Sequence, residues 1–78
     1  MENSEIQALI AQASPDNLSQ EEIHKLLPGL DSAYDALSQS QKFNDLTIAS
    51  DAELREKSSQ GSIESAFLLA YRHIHNNY

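Results

Sequence analysis

His73 and His75 are the first side chains to weigh as metal ligands, and His24 has Glu21 and Glu22 as neighbours. Two residues apart on a helix, His73 and His75 point roughly 200° away from each other, so one ion cannot take both. A cation is welcome at a helix C-terminus, and that explains their place without a ligand. His24 reads as part of a solvated helix face. Serines are plentiful, and a Ser-His-Asp grouping is recognised by geometry rather than by order in the chain. No nucleophile elbow or glycine-rich loop marks one serine as activated, and the chain has only two glycines. The expectation is a protein with no enzymatic activity, no metal and no cofactor.

One short motif points elsewhere. Gly29-Leu30-Asp31-Ser32 resembles the attachment motif of acyl and peptidyl carrier proteins. That resemblance implies an all-helical acidic domain whose Ser32 carries a phosphopantetheine arm. Ala33 stands where the family has an aliphatic residue, and the spacing from Ser32 to Phe43 is short for the family's recognition helix. The carrier role is therefore the alternative and not the main reading.

Chemistry this sparse shifts attention to surfaces. From Ser62 to Tyr78 the chain is densely apolar. At about 100° per residue, Ile63, Ala66, Phe67, Ala70, Tyr71, Ile74 and Tyr78 fall on one helix face. Leu68 and Leu69 lie off that stripe and flank a narrow polar strip of Ser65, Arg72 and Asn76. A helix apolar over most of its circumference is either central to a bundle or awaits a partner on its second side. Ile63-Glu64-Ser65-Ala66, the apolar run after it and the Tyr71-Arg72-His73 ending resemble the last helix of the small co-chaperones of type III secretion needle subunits. That resemblance implies a helix that holds an aggregation-prone partner.

Length and charge agree with a binding role. One domain at most fits in 78 residues. A chain this short buries only about 60% of its unfolded surface, so a second chain becomes a natural source of stability. Cysteine is absent, which removes disulfides and thiolate chemistry together. Twelve acidic residues against five Lys and Arg give a net charge of −7. Phosphate backbones are bound by clustered cations, and Lys25, Lys42, Arg55, Lys57 and Arg72 are scattered. Nucleic acid and anionic membranes are disfavoured, while a basic partner or simple solubility is compatible. MENSEIQ shows no secretory signal, and the run from Ala66 to Tyr71 is too short to cross a bilayer. A soluble, cytoplasmic protein is expected.

The elements follow from spacing. Residues 4–13 predict a helix with Ile6, Leu9, Ile10 and Ala13 on one face, Ser4 and Gln7 having capping-box spacing. Ser14-Pro15-Asp16-Asn17 ends it. Ser19 and Glu22 form a second capping box, with Leu18 placed to staple onto Ile23. Pro28 would interrupt a helix. Yet Ile23, Leu26, Leu27, Leu30, Ala33, Tyr34 and Leu37 keep helical phase across it, with Pro28 and Gly29 on the opposite face. A kinked helix over 20–41 is favoured; a turn, with Asp31 or Ser32 capping a new helix, is the competitor. Residues 42–49 read as a connection pinned by Phe43, Leu46 and Ile48. Ser50 and Glu53 predict a helix start near Asp51, with pairs Asp51–Arg55 and Glu53–Lys57. Gly61 is expected to close it, and Ser62 to start the last helix. Alternatively one helix spans both, lining a second face with Leu54, Ser58, Gly61, Ser65 and Leu68.

The fold expected is all-α, a small antiparallel bundle of three to four helices with the C-terminal helix central. The function expected is non-enzymatic protein binding as a chaperone, adaptor or regulator, engaging an amphipathic helix of another chain. Leu54, Leu68, Leu69 and Arg72 are the expected contact residues. A homo-oligomer pairing its own exposed leucines is the third possibility.

Overall fold

A computed structural model of the chain describes residues 3–15 and 17–77. Tyr78 of the apolar stripe and Asp16 of the first turn lie outside the described residues. Five helices occupy them: α1 (Asn3–Ala13), α2 (Gln20–Leu37), α3 (Gln41–Leu46), α4 (Asp51–Ser59) and α5 (Ile63–Asn77). Among the described residues there is no strand. The all-α bundle with a central last helix is what the apolar pattern predicts, because α5 packs against each of the other four. Phe67, Leu68, Ala70 and Ile74 are buried on it.

Helix α1 begins at Asn3, so Ser4 lies inside the helix and is not its cap. Ile6 and Ala13 are buried, and Leu9 and Ile10 pack partly against the core. Where α1 ends, the Ser14 hydroxyl donates to the Ile10 carbonyl at 2.6 Å, satisfying one of the orphan acceptors of the last turn.

Helix α2 starts as the capping box predicts. The Ser19 hydroxyl oxygen accepts from the Glu22 amide at 3.2 Å. Its hydroxyl proton also faces the Glu22 carboxylate, 3.3 Å away. From there α2 continues through Pro28 to Leu37, in one helix. The turn reading is overturned, and Asp31 and Ser32 sit mid-helix. Burial of Ile23, Leu26, Leu30 and Ala33 along one face outweighs the interior proline. Pro28 itself is exposed. Gly29 is not on a solvated face: a side chain there would meet Leu9 Cδ2 at 3.0 Å. Its missing Cβ lets α1 approach α2. Pro28→Ala is expected to raise the denaturation midpoint. It regains a helical bond worth up to about 3 kcal/mol and gives back about 0.4–1 kcal/mol of unfolded-state entropy. A clear fall in the urea midpoint would contradict the continuous helix.

The polar stretch after Leu37 ends α2 four residues short of the expected 41. Residues 41–46, of which 42–46 are expected in a connection, form the short helix α3. Phe43 and Leu46 pin it to the core at 0% and 5% exposure, but Ile48 does not join them and stands 89% exposed. Phe43 packs its ring edge-to-face against Tyr34, with centroids 5.2 Å apart.

Two helices, not one, span 51–77, and the join explains why. Ser50 caps α4 by accepting from the Glu53 amide. At the other end the Gly61 amide donates to Ser58 O and the Ser62 amide to Lys57 O. That pair of bonds is a Schellman closure, and it requires a left-handed residue between them. Gly61 supplies it at φ 99°. An L side chain at that φ costs roughly 1–2 kcal/mol, with no neighbouring atom to blame. The Ser62 hydroxyl then accepts from the Ser65 amide, at 3.4 Å, to open α5.

Candidate functional site: a cleft between α1 and α4

The expected contact residues divide. Leu54 and Leu68 were expected on a free second face, and both are buried in the chain's own core, at 0% and 2% exposure. Ser65, expected on a polar strip, is fully buried as well. The reason lies in their spacing. Ser65, Leu68 and Arg72 share one face of α5, at steps of three and four, and that face meets α4. The small Ser65 lets α4 approach, and its hydroxyl is satisfied by the Ser62 hydroxyl at 2.9 Å. A buried polar group paired in this way carries no desolvation penalty large enough to keep it at the surface.

Arg72 belongs to the same contact. Its Nη1 donates to Asp51 Oδ1 at 2.8 Å and its Nη2 to the Thr47 carbonyl at 2.9 Å. The guanidinium thus bolts α5 to the α3–α4 turn, with the Arg72 side chain still 26% exposed. It also takes Asp51 away from Arg55, its expected mate. Glu53 and Lys57, the other expected pair, make no ion pair among the described residues.

Leu69 is the one expected leucine that is not fully buried, though it packs partly against the core. It is half-buried and lines hollows bordered by α1 and α4. Helices α1 and α4 each pack far more on α5 than on each other, which leaves a cleft with α5 as its floor. Two adjoining hollows of about 280 Å³ each make up most of it. Ile10, Ala11 and Ser14 form one wall, Ser58 the other, and Ile63, Ala66, Leu69 and Ala70 the floor. A third hollow of about 300 Å³ continues it past Leu69 and His73 to Arg55 and Asn76. Along α5 the floor runs from Ile63 to Asn76. At 1.5 Å per residue that is roughly 20 Å, or between three and four helical turns.

No family model, curated protein or solved structure matches this chain. What the cleft can do therefore rests on its own residues. Its width comes from small side chains, Ala11, Ser14, Ser58 and Ala66, and such residues let a second backbone come close. Apolar periodicity could not separate this face from the buried ones, because Leu68 and Leu69 are adjacent and chemically identical. The signal that could have separated them is Gly61. A break between α4 and α5 fixes which face of α5 the folded-back α4 must cover.

The remaining chemical candidates stay apart. His73 lies half-buried in the cleft, while His75 is exposed and stacks on Tyr71 with centroids 4.3 Å apart. Among the described residues no group of three or more His, Asp or Glu side chains could hold an ion. Burial first, then the Asp31 carboxylate and Tyr34, hold the Tyr71 phenol above its ordinary value. It is therefore neutral at neutral pH and no base. Ser32 is exposed in mid-α2. A larger hollow of about 520 Å³ between α3 and α4 is lined by Lys42, Asp45, Glu53 and Lys57. Leu46 and Ala49 also line it, but its charges are of both signs and offer no focused field. No described helix is long and apolar enough to cross a membrane.

Proposed function

We propose that this protein is a non-enzymatic binding module that takes an amphipathic helix of a partner protein into the α1–α4 cleft, as a small chaperone, adaptor or regulator does. The cleft itself carries this reading. It is a roughly helix-length channel, apolar along Ile63, Ala66, Leu69 and Ala70 and polar at the Arg55 and Asn76 end, with Leu69 and Ile10 half-exposed along it. Helix-in-groove recognition needs an apolar stripe on the ligand and little else. The needle co-chaperone resemblance rests on residues of α5, which here form the floor. A role of that kind would run through the cleft and not through α5 presented alone. For a homo-oligomer only Leu69 of the expected leucines remains half-exposed to pair, since Leu54 and Leu68 are buried within the chain.

Affinity capture from the native source separates this reading from the carrier alternative. A partner retained by the wild type and by Ser32→Ala, and lost with Leu69→Glu, is the expected result. If every captured protein survives Leu69→Glu, the cleft is not the site. If capture fails only with Ser32→Ala, the serine is.

A further inference from the structure

Charge around the cleft narrows the partner further. Although the chain carries twelve carboxylates, none lines the two hollows that form the channel. The only one in the third hollow is Asp51, already held by Arg72 at 2.8 Å. At that end stands Arg55, exposed on α4, making no ion pair among the described residues. Resting on the binding-module reading, we infer that the helix taken by the cleft carries a carboxylate at the edge of its apolar stripe, which meets Arg55. The acidic balance of the whole chain suggests a basic partner instead. That balance belongs to other faces, however, and at physiological salt it is screened beyond about 8 Å. The Arg55 guanidinium can take a carboxylate in a bidentate pair at close range, where screening is weakest. Arg55 would thus set orientation and choice of partner, while Ile10, Ala66 and Leu69 supply the apolar contact.

Two synthetic peptides test this, each of about 14 residues, the length of the cleft floor. Both carry the same Leu and Ala stripe; the flanking charges are Glu in one and Lys in the other. Binding of the labelled peptides is followed by fluorescence anisotropy at physiological salt. The Glu peptide is expected to bind several-fold more tightly, and Arg55→Glu is expected to reverse the order. If the two bind equally, or the Lys peptide wins, and both are lost with Leu69→Glu, the Arg55 inference falls and the cleft reading stands. If neither binds, both fall. Ile10→Glu, on the opposite wall, repeats the Leu69 arm, with circular dichroism to confirm folding. Should sedimentation show the wild type alone to be a dimer that Leu69→Glu makes monomeric, the occupant is a second copy and the foreign partner is ruled out.

Discussion

Leu68→Ser is expected to unfold the protein or to lower its thermal midpoint by roughly 20 °C, while Leu69→Ser, one residue on, changes it little. Leu68 is 2% exposed on the face of α5 that α4 covers. Truncating a buried leucine costs about 2–5 kcal/mol, and the serine adds an unpaired hydroxyl costing roughly 1–3 kcal/mol more. A domain of this size has only about 4–12 kcal/mol to lose, and each kcal/mol moves the midpoint by about 4–8 °C. Leu69 is half-buried at the cleft, so its truncation removes less contact and leaves a hydroxyl that water can reach. Thermal denaturation followed by circular dichroism reads both variants. Equal losses would mean that Leu69 is core and the cleft closed.

Phe67→Ala should be as damaging as Leu68→Ser, and for a different reason. Phe67 is fully buried between Phe43 of α3 and Tyr71 of its own helix, with ring centroids at 6.2 and 6.1 Å. Its removal costs about 3–5 kcal/mol, and the space left lies where α3 joins the core. Since α3 has only six residues, it is too short to hold helical structure without that contact. Phe67→Leu, which keeps most of the volume, should retain the fold with a loss below that of the alanine variant. Urea denaturation of the two variants provides the comparison; an alanine variant as stable as the wild type would place Phe67 outside the core.

Legibility in the sequence followed the kind of signal. The Ser19 and Ser50 caps were readable because their partners are three residues away. Continuity of α2 was readable because the apolar phase of residues 23–37 outlasts the local penalty of Pro28. Gly61 announced the α4–α5 turn by its type alone. What failed was whatever depends on a neighbour distant in the chain. Leu54, Ser65 and Leu68 are buried because α4 folds back on α5, and only the folded arrangement places them there. Arg72 finds Asp51 and Thr47, more than twenty residues earlier, in preference to solvent. Ile48 alternates with Leu46 as a buried residue would, yet the end of α3 turns it outward. The cleft was half legible. Leu69 was singled out for its adjacency to Leu68, whereas Ile10, Ser58 and Arg55 join it only through the packing of α1 and α4.

Because α5 touches every other helix and is the last of the five in the chain, the order of synthesis runs opposite to the order of dependence. On a ribosome α1 and α2 have each other to pack on, but α3 and α4 emerge before the surface they rest on exists. Until Ile63 and the residues after it have followed, Phe43, Leu46 and Leu54 of α3 and α4 lack the helix that covers them. Docking of α3 and α4 therefore waits on α5.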